Sequence, residues 1–210
     1  MTFEFERWGS AVFTSVSRLS RTAGGVTEAA YGGAKPAIEV ERDKLVAIVE
    51  RNLRKAIAHV WTHGPAIRPD TVHVQSFMNA VATMISVNVN PPGSRLFRTW
   101  DTRERFPQQV APADLPAEYR ALCAFVAGRL DERDPVTVAA ELEWQLDGRI
   151  HPFADGCGRT AKVLGAWILL RGDMPPARFT DRTEYYTVIN HPLQEWAAYY
   201  RAHVPALVAG

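Results

Sequence analysis

The chain has 210 residues, of which 47% are hydrophobic and 22% are charged, proportions typical of a globular protein with a substantial core. Its formal net charge of +1 excludes the large basic excess of proteins that bind nucleic acid or membranes through overall charge, so we expect neither partner. The sequence has no apolar run of the roughly 18 residues that a membrane-spanning helix requires. The N-terminal residues carry early acids and lack a long apolar core, so we predict no secretory signal and a cytoplasmic location.

The sequence contains two cysteines, Cys123 and Cys157, which are too few to predict a disulfide framework. A reducing compartment is therefore the simpler assumption. Cys123 lies in an apolar helical stretch, which indicates a core residue.

The N-terminal part of the chain differs in composition from the rest. Residues 4–22 place apolar side chains at helical spacing and predict a short amphipathic helix. The glycine-rich segment 23–37 predicts a loop or linker. We therefore divide the chain into an N-terminal helix and linker, residues 1–42, and a main domain, residues 43–210.

Start and stop signals predict a succession of helices in the main domain. An aspartate before an apolar helical pattern is a common N-cap, and glycine or proline commonly ends a helix. On this basis we predict helices over residues 43–64, 70–87, 114–131, 136–147, 160–170, 181–190 and 192–207. The helix over 160–170 is apolar on nearly every side, which predicts a central, buried position.

Residues 96–106 are the one segment with a β pattern. Leu96–Trp100 and Arg105–Phe106 flank a polar turn, Asp101–Glu104, which is typical of a short β-hairpin. An isolated hairpin is marginal by itself, so we interpret it as a flap over another feature, with an irregular surface loop as the alternative. The predicted fold class is all-α, with six to eight helices and one β-hairpin flap.

The segment Ile150–Lys162, which reads I-H-P-F-A-D-G-C-G-R-T-A-K, joins two apolar helices through a polar, glycine-rich loop. Such a loop at a helix N-terminus presents backbone N–H groups and the positive helix dipole to an anion. Gly156 and Gly158 permit a turn with positive φ and close approach of the backbone to a phosphate. Arg159 and Lys162 add two cations on one helical face.

Two further side chains of this loop have catalytic chemistry. His151 follows the end of a helix, and a neutral imidazole beside an anion site can accept a proton from an attacking hydroxyl. Asp155 offers a carboxylate to a Mg²⁺ ion that is held mostly by phosphates and water. A buried histidine that only caps a helix is the structural alternative for His151.

Residues 151–162 resemble the signature of the Fic (filamentation induced by cAMP) family, H-x-F-x-[D/E]-G-N-G-R-x-x-R. The likeness covers about residues 43–205, because segments on both sides of the signature are similar to the helices that flank it in the family. Residues 90–110 look like the family's flap hairpin. The resemblance therefore implies the all-α Fic fold.

The resemblance also implies a reaction. Most Fic enzymes transfer AMP from ATP to a protein hydroxyl with Mg²⁺, so the expected activity is transfer of AMP, or another nucleotide, to a protein or other acceptor. By position, His151 would be the general base and Asp155 the metal ligand.

The remaining site residues are implied by the same resemblance. The phosphates of the nucleotide would bind to Gly156, Cys157, Gly158, Arg159 and Lys162. Phe97 and Arg98 would belong to the flap that holds the target segment, and Tyr185 or Tyr186 would form a wall of the adenine pocket.

The chain departs from the family signature at two positions. Cys157 stands where the family has asparagine, and a thiol makes only weak hydrogen bonds. Lys162 stands where the family has its last arginine, and lysine keeps the charge without the bidentate fork. Cys157 is either a nucleophile or redox switch activated by a helix N-terminus, or a small residue that the site tolerates.

These departures leave alternative functions open. One is a phosphotransferase, or an enzyme that modifies a small molecule from an altered donor. Another is a non-catalytic Fic-like binding module, which the two substitutions favour and the intact His151 and Asp155 oppose.

Overall fold

The computed structural model describes residues 5–19, 42–90 and 96–206 of the chain. The linker predicted over 23–37 lies outside these residues, and the division of the chain at residue 43 stays a prediction. None of the helices in the described ranges combines the length and the apolar character needed to cross a membrane.

The prediction of an all-α fold is confirmed, since the described residues form eight α-helices and no β-sheet. The helices are α1 (Phe5–Leu19), α2 (Arg42–His63), α3 (Thr71–Ser86), α4 (Leu115–Arg129), α5 (Pro135–Glu143), α6 (Cys157–Arg171), α7 (Arg182–Val188) and α8 (Leu193–Ala202). A 3₁₀ turn, Gly64–Ala66, follows α2, and a π-helical turn, Trp144–Ile150, continues α5.

Three helices begin at the aspartate that the sequence predicts as their cap. The side chain of Asp70 accepts a hydrogen bond from the backbone N–H of His73, and Asp181 accepts one from Glu184. Asp134 accepts a bond from the N–H of Thr137 at the start of α5. Each bond satisfies an N–H group that has no partner inside the helix, which fixes where the helix starts.

Helix α6 lies at the centre of the fold, as its apolar sequence predicts. It packs against α5, α3, α2 and α1. Its Trp167 is fully buried and lies tilted against Phe77 with 4.7 Å between ring centroids. The indole N–H donates a hydrogen bond of 2.9 Å to the carbonyl of Gly64. Because α6 is fixed on these sides, the direction of its N-terminus is fixed as well.

The predicted hairpin does not form within residues 96–110. The segment makes a single antiparallel bridge, between Phe97 and Phe153, and so pairs with the glycine-rich loop instead of with itself. The N–H of Arg98 donates to the carbonyl of Pro152 over 2.9 Å, and the N–H of Ala154 donates to the carbonyl of Leu96 over 3.2 Å. The β pattern of the sequence is therefore used to attach this segment to the loop.

The close packing around α6 predicts different effects for two glycine-to-alanine substitutions. A methyl group at Gly165 would lie 2.4 Å from Glu143 Oε1 and 2.9 Å from the hydroxyl of Tyr200, whereas one at Gly128 would meet nothing within 4 Å. We expect Gly165→Ala to lower the free energy of unfolding by about 1–3 kcal/mol through overpacking. We expect Gly128→Ala to raise it by about 0.5–1 kcal/mol, because alanine is the better helix former.

Urea unfolding followed by circular dichroism measures both values. Equal stabilities for the two variants would contradict the packing described for α6.

Candidate active site

The glycine-rich loop, residues 151–156, connects the π-helical turn to α6 and begins with His151. The backbone of His151 has φ 45° and ψ 58°, a left-handed conformation that few non-glycine residues adopt. Its N–H donates to the carbonyl of Leu146 over 3.1 Å, which closes the π-helical turn. The π-helical turn therefore ends at His151, and the backbone conformation of this residue fixes the direction in which its imidazole ring points.

The ring of His151 is oriented by Asp147. His151 Nδ1 lies 2.9 Å from the backbone carbonyl of Asp147, which can only accept a hydrogen bond. Nδ1 therefore carries the proton in the neutral ring, and Nε2 is the atom with the lone pair that can accept another proton. Burial lowers the pKa of His151, and the nearby Asp147 carboxylate opposes this shift in part. The ring is therefore mostly neutral at pH 7, as a general base must be.

Arg98 holds the backbone on both sides of His151. Its Nε donates to the carbonyl of His151 and its Nη1 to the carbonyl of Trp100, each over 2.7 Å. Its Nη2 donates to the carbonyls of Val110 and Ile150. Only 2% of Arg98 is exposed. The guanidinium therefore attaches residues 96–110 to the loop and satisfies carbonyls that would otherwise be buried without partners.

The expectation that Phe97 and Arg98 belong to a flap that holds a target segment stays a prediction, and their side chains face the protein interior. Arg98 is buried because backbone carbonyls surround its guanidinium. Phe97 packs inward, edge-on to Tyr119 and stacked on Phe153, with ring centroids 5.3 and 6.3 Å apart. Both residues support the loop from one side.

The end of the loop has the geometry of an anion site. Gly156 has φ 80°, so the sequence prediction of a positive-φ turn is confirmed here. A side chain at Gly156 would also lie 2.7 Å from Ile85 Cγ2. The turn leads directly into α6, whose first N–H groups have no carbonyl partners within the helix.

Arg159 and Asp155 lie at this end and form an ion pair with each other. Both side chains are largely buried, at 11% and 15% exposure. The start of α6 therefore brings together an arginine and a carboxylate, and each neutralises the charge of the other. No cluster of three potential metal ligands occurs among the described residues. A single carboxylate beside a phosphate site fits Mg²⁺, which keeps most of its water and takes substrate phosphates as ligands.

The family assignment follows from residues that include this loop. Residues 77–169 match the family model described as "Fic/DOC family". These residues belong to the Fic/DOC family. The matched range begins within α3 and contains the segment of Arg98, α4, α5, the π-helical turn, the glycine-rich loop and most of α6.

One curated relative and two solved structures are similar to this chain. This chain is 40% identical to "Protein adenylyltransferase Fic" of Nematostella vectensis over 83 residues, a match that covers 38% of this chain. That match spans only 19% of the relative's length.

The solved structures show the likeness of fold. A Fic domain containing signaling protein from Bacteroides thetaiotaomicron superposes with a TM-score of 0.69 and 17% identity, covering 94% of this chain and 85% of the other. Fic-1 from C. elegans superposes with a TM-score of 0.66 and 19% identity, covering 97% of this chain and 64% of the other.

Cys157, the first departure from the Fic signature, has a structural role. Its Sγ accepts a hydrogen bond of 3.2 Å from the N–H of Phe153 and lies 3.5 Å from the carbonyl of the same residue. The side chain is buried, and this burial raises the pKa of the thiol well above its usual value. The interpretation of Cys157 as an activated nucleophile is therefore wrong, and the thiol closes the turn of the Fic loop.

Lys162, the second departure, points into the protein interior. Its Nζ donates to the carbonyl of Gly158 over 3.1 Å, lies 3.9 Å from Asp147 Oδ2 and lies 3.9 Å from the centre of the Tyr185 ring. The residue is 5% exposed. The prediction that Lys162 adds a second cation to the phosphate site is corrected, because the buried acids Asp147 and Glu143 attract the ammonium inward.

Gly158 leaves room for the buried side chains of Asp147 and Lys162. A side chain at Gly158 would lie 2.9 Å from Asp147 Oδ2, 2.9 Å from the Tyr186 hydroxyl and 3.3 Å from Lys162 Nζ. The sequence predicts a glycine that lets phosphate approach, and the structure adds that it makes room for the side chains beneath the loop.

The two tyrosines proposed for the adenine pocket differ in position. Tyr185 is fully buried and donates its hydroxyl to Glu143 Oε2 over 3.0 Å, so it is a core residue and no pocket wall. Tyr186 is partly exposed and packs against the Arg182 guanidinium, 4.7 Å from its ring centre. Tyr186 lies beside the Fic loop and remains a candidate for nucleotide contact.

Sequence reasoning missed Asp147 and Glu143. Both are buried, and burial raises the pKa of Glu143 to about 7, although Lys162 and two tyrosine hydroxyls oppose this shift. The signal that could have identified them is their spacing. Asp147 precedes His151 by one helical turn, and Glu143 precedes Asp147 by another.

The interactions of Arg98 predict that lysine cannot replace it. Lysine keeps the charge but loses the fork of donors, so Arg98→Lys leaves buried carbonyls unsatisfied and lowers the free energy of unfolding by about 2–4 kcal/mol. Arg103→Lys is the matched control, since Arg103 pairs with Asp101 on the surface, and its effect should stay within about 0.5 kcal/mol. Guanidinium chloride unfolding gives both values, and similar losses for the two variants would contradict the role assigned to Arg98.

The burial of both cysteines predicts unreactive thiols in the native protein. Cys123 packs on Met78 with 3.8 Å between the sulfurs, and burial raises the pKa of its thiol to about 12. Neither thiol should react with Ellman's reagent at pH 8 in the native state, and both should react once guanidinium chloride unfolds the chain. Rapid reaction of Cys157 in the native protein would restore its interpretation as an activated nucleophile.

Proposed function

We propose that the chain is a Mg²⁺-dependent nucleotidyltransferase that moves AMP from ATP to a hydroxyl of a protein or other acceptor. The observation that carries the proposal is the position of His151. Its neutral ring lies in one loop with a carboxylate, an arginine and the N-terminus of a buried helix. The curated relative named as a protein adenylyltransferase supports the same reaction.

In the proposed reaction, His151 Nε2 accepts the proton of the acceptor hydroxyl. The hydroxyl oxygen then bonds to the α-phosphorus of ATP, the bond from that phosphorus to the bridging oxygen breaks, and pyrophosphate leaves. His151 later releases its proton to water. General base catalysis of this kind contributes about 10²–10⁴ in rate.

The phosphates of ATP would bind at the N-terminus of α6. The turn at Gly156 and the first N–H groups of the helix would contact their oxygens, and Arg159 would pair with them. Asp155 would then be released from Arg159 to hold Mg²⁺, which neutralises phosphate charge when bound. The ion pair of Arg159 and Asp155 thus keeps both side chains in position before the nucleotide arrives.

We also propose a reducing, cytoplasmic location, since both cysteines are unpaired thiols. The proposed acceptor is a hydroxyl group, and the first candidate is the hydroxyl of a protein side chain.

Phosphate transfer is the second candidate function, because Lys162 lies away from the phosphate site and one fewer cation is available to orient the donor. The two reactions differ in which phosphorus the acceptor oxygen attacks. Attack at the γ-phosphorus would leave ADP instead of pyrophosphate.

Compared with the lysate alone, we expect the protein to add label to an acceptor from ATP labelled at the α-phosphate, and to add none from ATP labelled at the γ-phosphate. His151→Ala should lower the rate by at least about a hundredfold, because the base is lost. His73→Ala is the matched control, since His73 is exposed and pairs with Asp70 at the start of α3, and it should leave the rate unchanged.

Electrophoresis and autoradiography of the lysate proteins read out the label. Label from the γ-phosphate alone would establish phosphate transfer. Absence of both labels, together with no ATP binding by calorimetry, would establish a non-catalytic binding module.

A further inference from the structure

Asp147 is a buried carboxylate for which the reaction described above has no use. Its side chain is 4% exposed and lies in the π-helical turn that precedes the loop. A buried carboxylate is costly unless cations or donors compensate it, so its position calls for a physical reason.

Two atoms of Asp147 face His151. The backbone carbonyl accepts the Nδ1 proton over 2.9 Å, and carboxylate Oδ1 lies 3.6 Å from the same nitrogen. The carbonyl fixes which ring nitrogen carries the proton. The carboxylate places a negative charge beside the ring where positive charge develops when Nε2 accepts a proton.

The other oxygen of the carboxylate faces Lys162. Asp147 Oδ2 makes no hydrogen bond to the described residues and lies 3.9 Å from Lys162 Nζ. Lys162 is itself tied to the carbonyl of Gly158 over 3.1 Å and packed over the Tyr185 ring. The ammonium therefore has a fixed position, and its attraction holds the carboxylate beside the ring.

We propose that Asp147 is a positioning residue that holds the His151 ring and balances its charge during proton transfer, and that Lys162 acts by holding Asp147. The proposal rests on the proposed function for its kinetic consequences. The proposal also explains why residue 162 is a lysine, because the long lysine side chain carries its charge from α6 to the buried carboxylate of Asp147.

A purely structural ion pair is the alternative, and kinetics distinguish the two. Asp147→Asn keeps the size of the side chain and the backbone carbonyl but removes the charge. If Asp147 acts through His151, kcat should fall at least about tenfold while KM for ATP stays within about twofold. Asp131→Asn is the matched control, since Asp131 pairs with Arg171 at the surface, and its kcat should not change.

The role of Lys162 is tested by a double-mutant cycle. Lys162→Met should lower kcat, and Asp147→Asn combined with Lys162→Met should have a kcat within about twofold of Asp147→Asn alone. Thermal unfolding by circular dichroism identifies any variant that is not folded at the assay temperature. The double variant removes both charges of the Asp147–Lys162 pair, and Glu143 keeps its hydrogen bonds from Tyr185 and Tyr200, so the comparison stays possible if Lys162→Met alone unfolds. Multiplicative losses in kcat, or a rise in KM for ATP with Lys162→Met, would overturn the proposal.

A measurement without turnover separates this proposal from the proposed function. Diethyl pyrocarbonate modifies the unprotonated nitrogen of histidine, and a nearby carboxylate makes that nitrogen more nucleophilic. At pH 8, peptide mass spectrometry should show slower modification of His151 in Asp147→Asn than in the wild type, with exposed His73 as the internal control. Equal rates at His151 would overturn the proposal, whether or not the wild type transfers AMP.

Discussion

The chain leaves the π-helical turn through the left-handed backbone of His151, a conformation that costs about 1–3 kcal/mol and persists only where surrounding contacts enforce it. Arg98 supplies those contacts from one side, through the carbonyls of His151 and Ile150. Asp147 supplies them from the other side, through the bond to Nδ1. The direction of the ring, and with it the position of Nε2 relative to the anion site, follows from these two residues.

The charges around the loop form two layers with different tasks. The inner layer, Glu143, Asp147 and Lys162, is buried and compensates its own charge. The outer layer, Asp155 and Arg159, is an ion pair that a nucleotide with its metal would separate. Gly158 lies between them, since any side chain there would meet the inner layer. Lys162 is therefore part of the buried layer beneath the loop.

The sequence predicted what depends on local pattern. Helix periodicity and aspartate caps located the helices, and the glycine-rich loop indicated the candidate site, because these signals act over a few residues. It did not predict the distant partners of Arg98, three carbonyls that lie 12 to 53 positions away along the chain. The β pattern of residues 96–106 predicts a strand that must pair with another segment, and the sequence alone favours the nearest one, a hairpin. The tertiary structure determines which segment it pairs with. Likewise, the inward direction of Lys162 depends on acids that another helix provides.

The most direct test of the account is a crystal structure with Mg²⁺ and a non-hydrolysable ATP analogue. The account predicts the phosphates at the N-terminus of α6, Arg159 on the phosphates, Mg²⁺ on Asp155, and Lys162 still beside Asp147. A nucleotide bound elsewhere would contradict the assignment of the site. Lys162 turned outward onto the phosphates would contradict the division into two layers of charge.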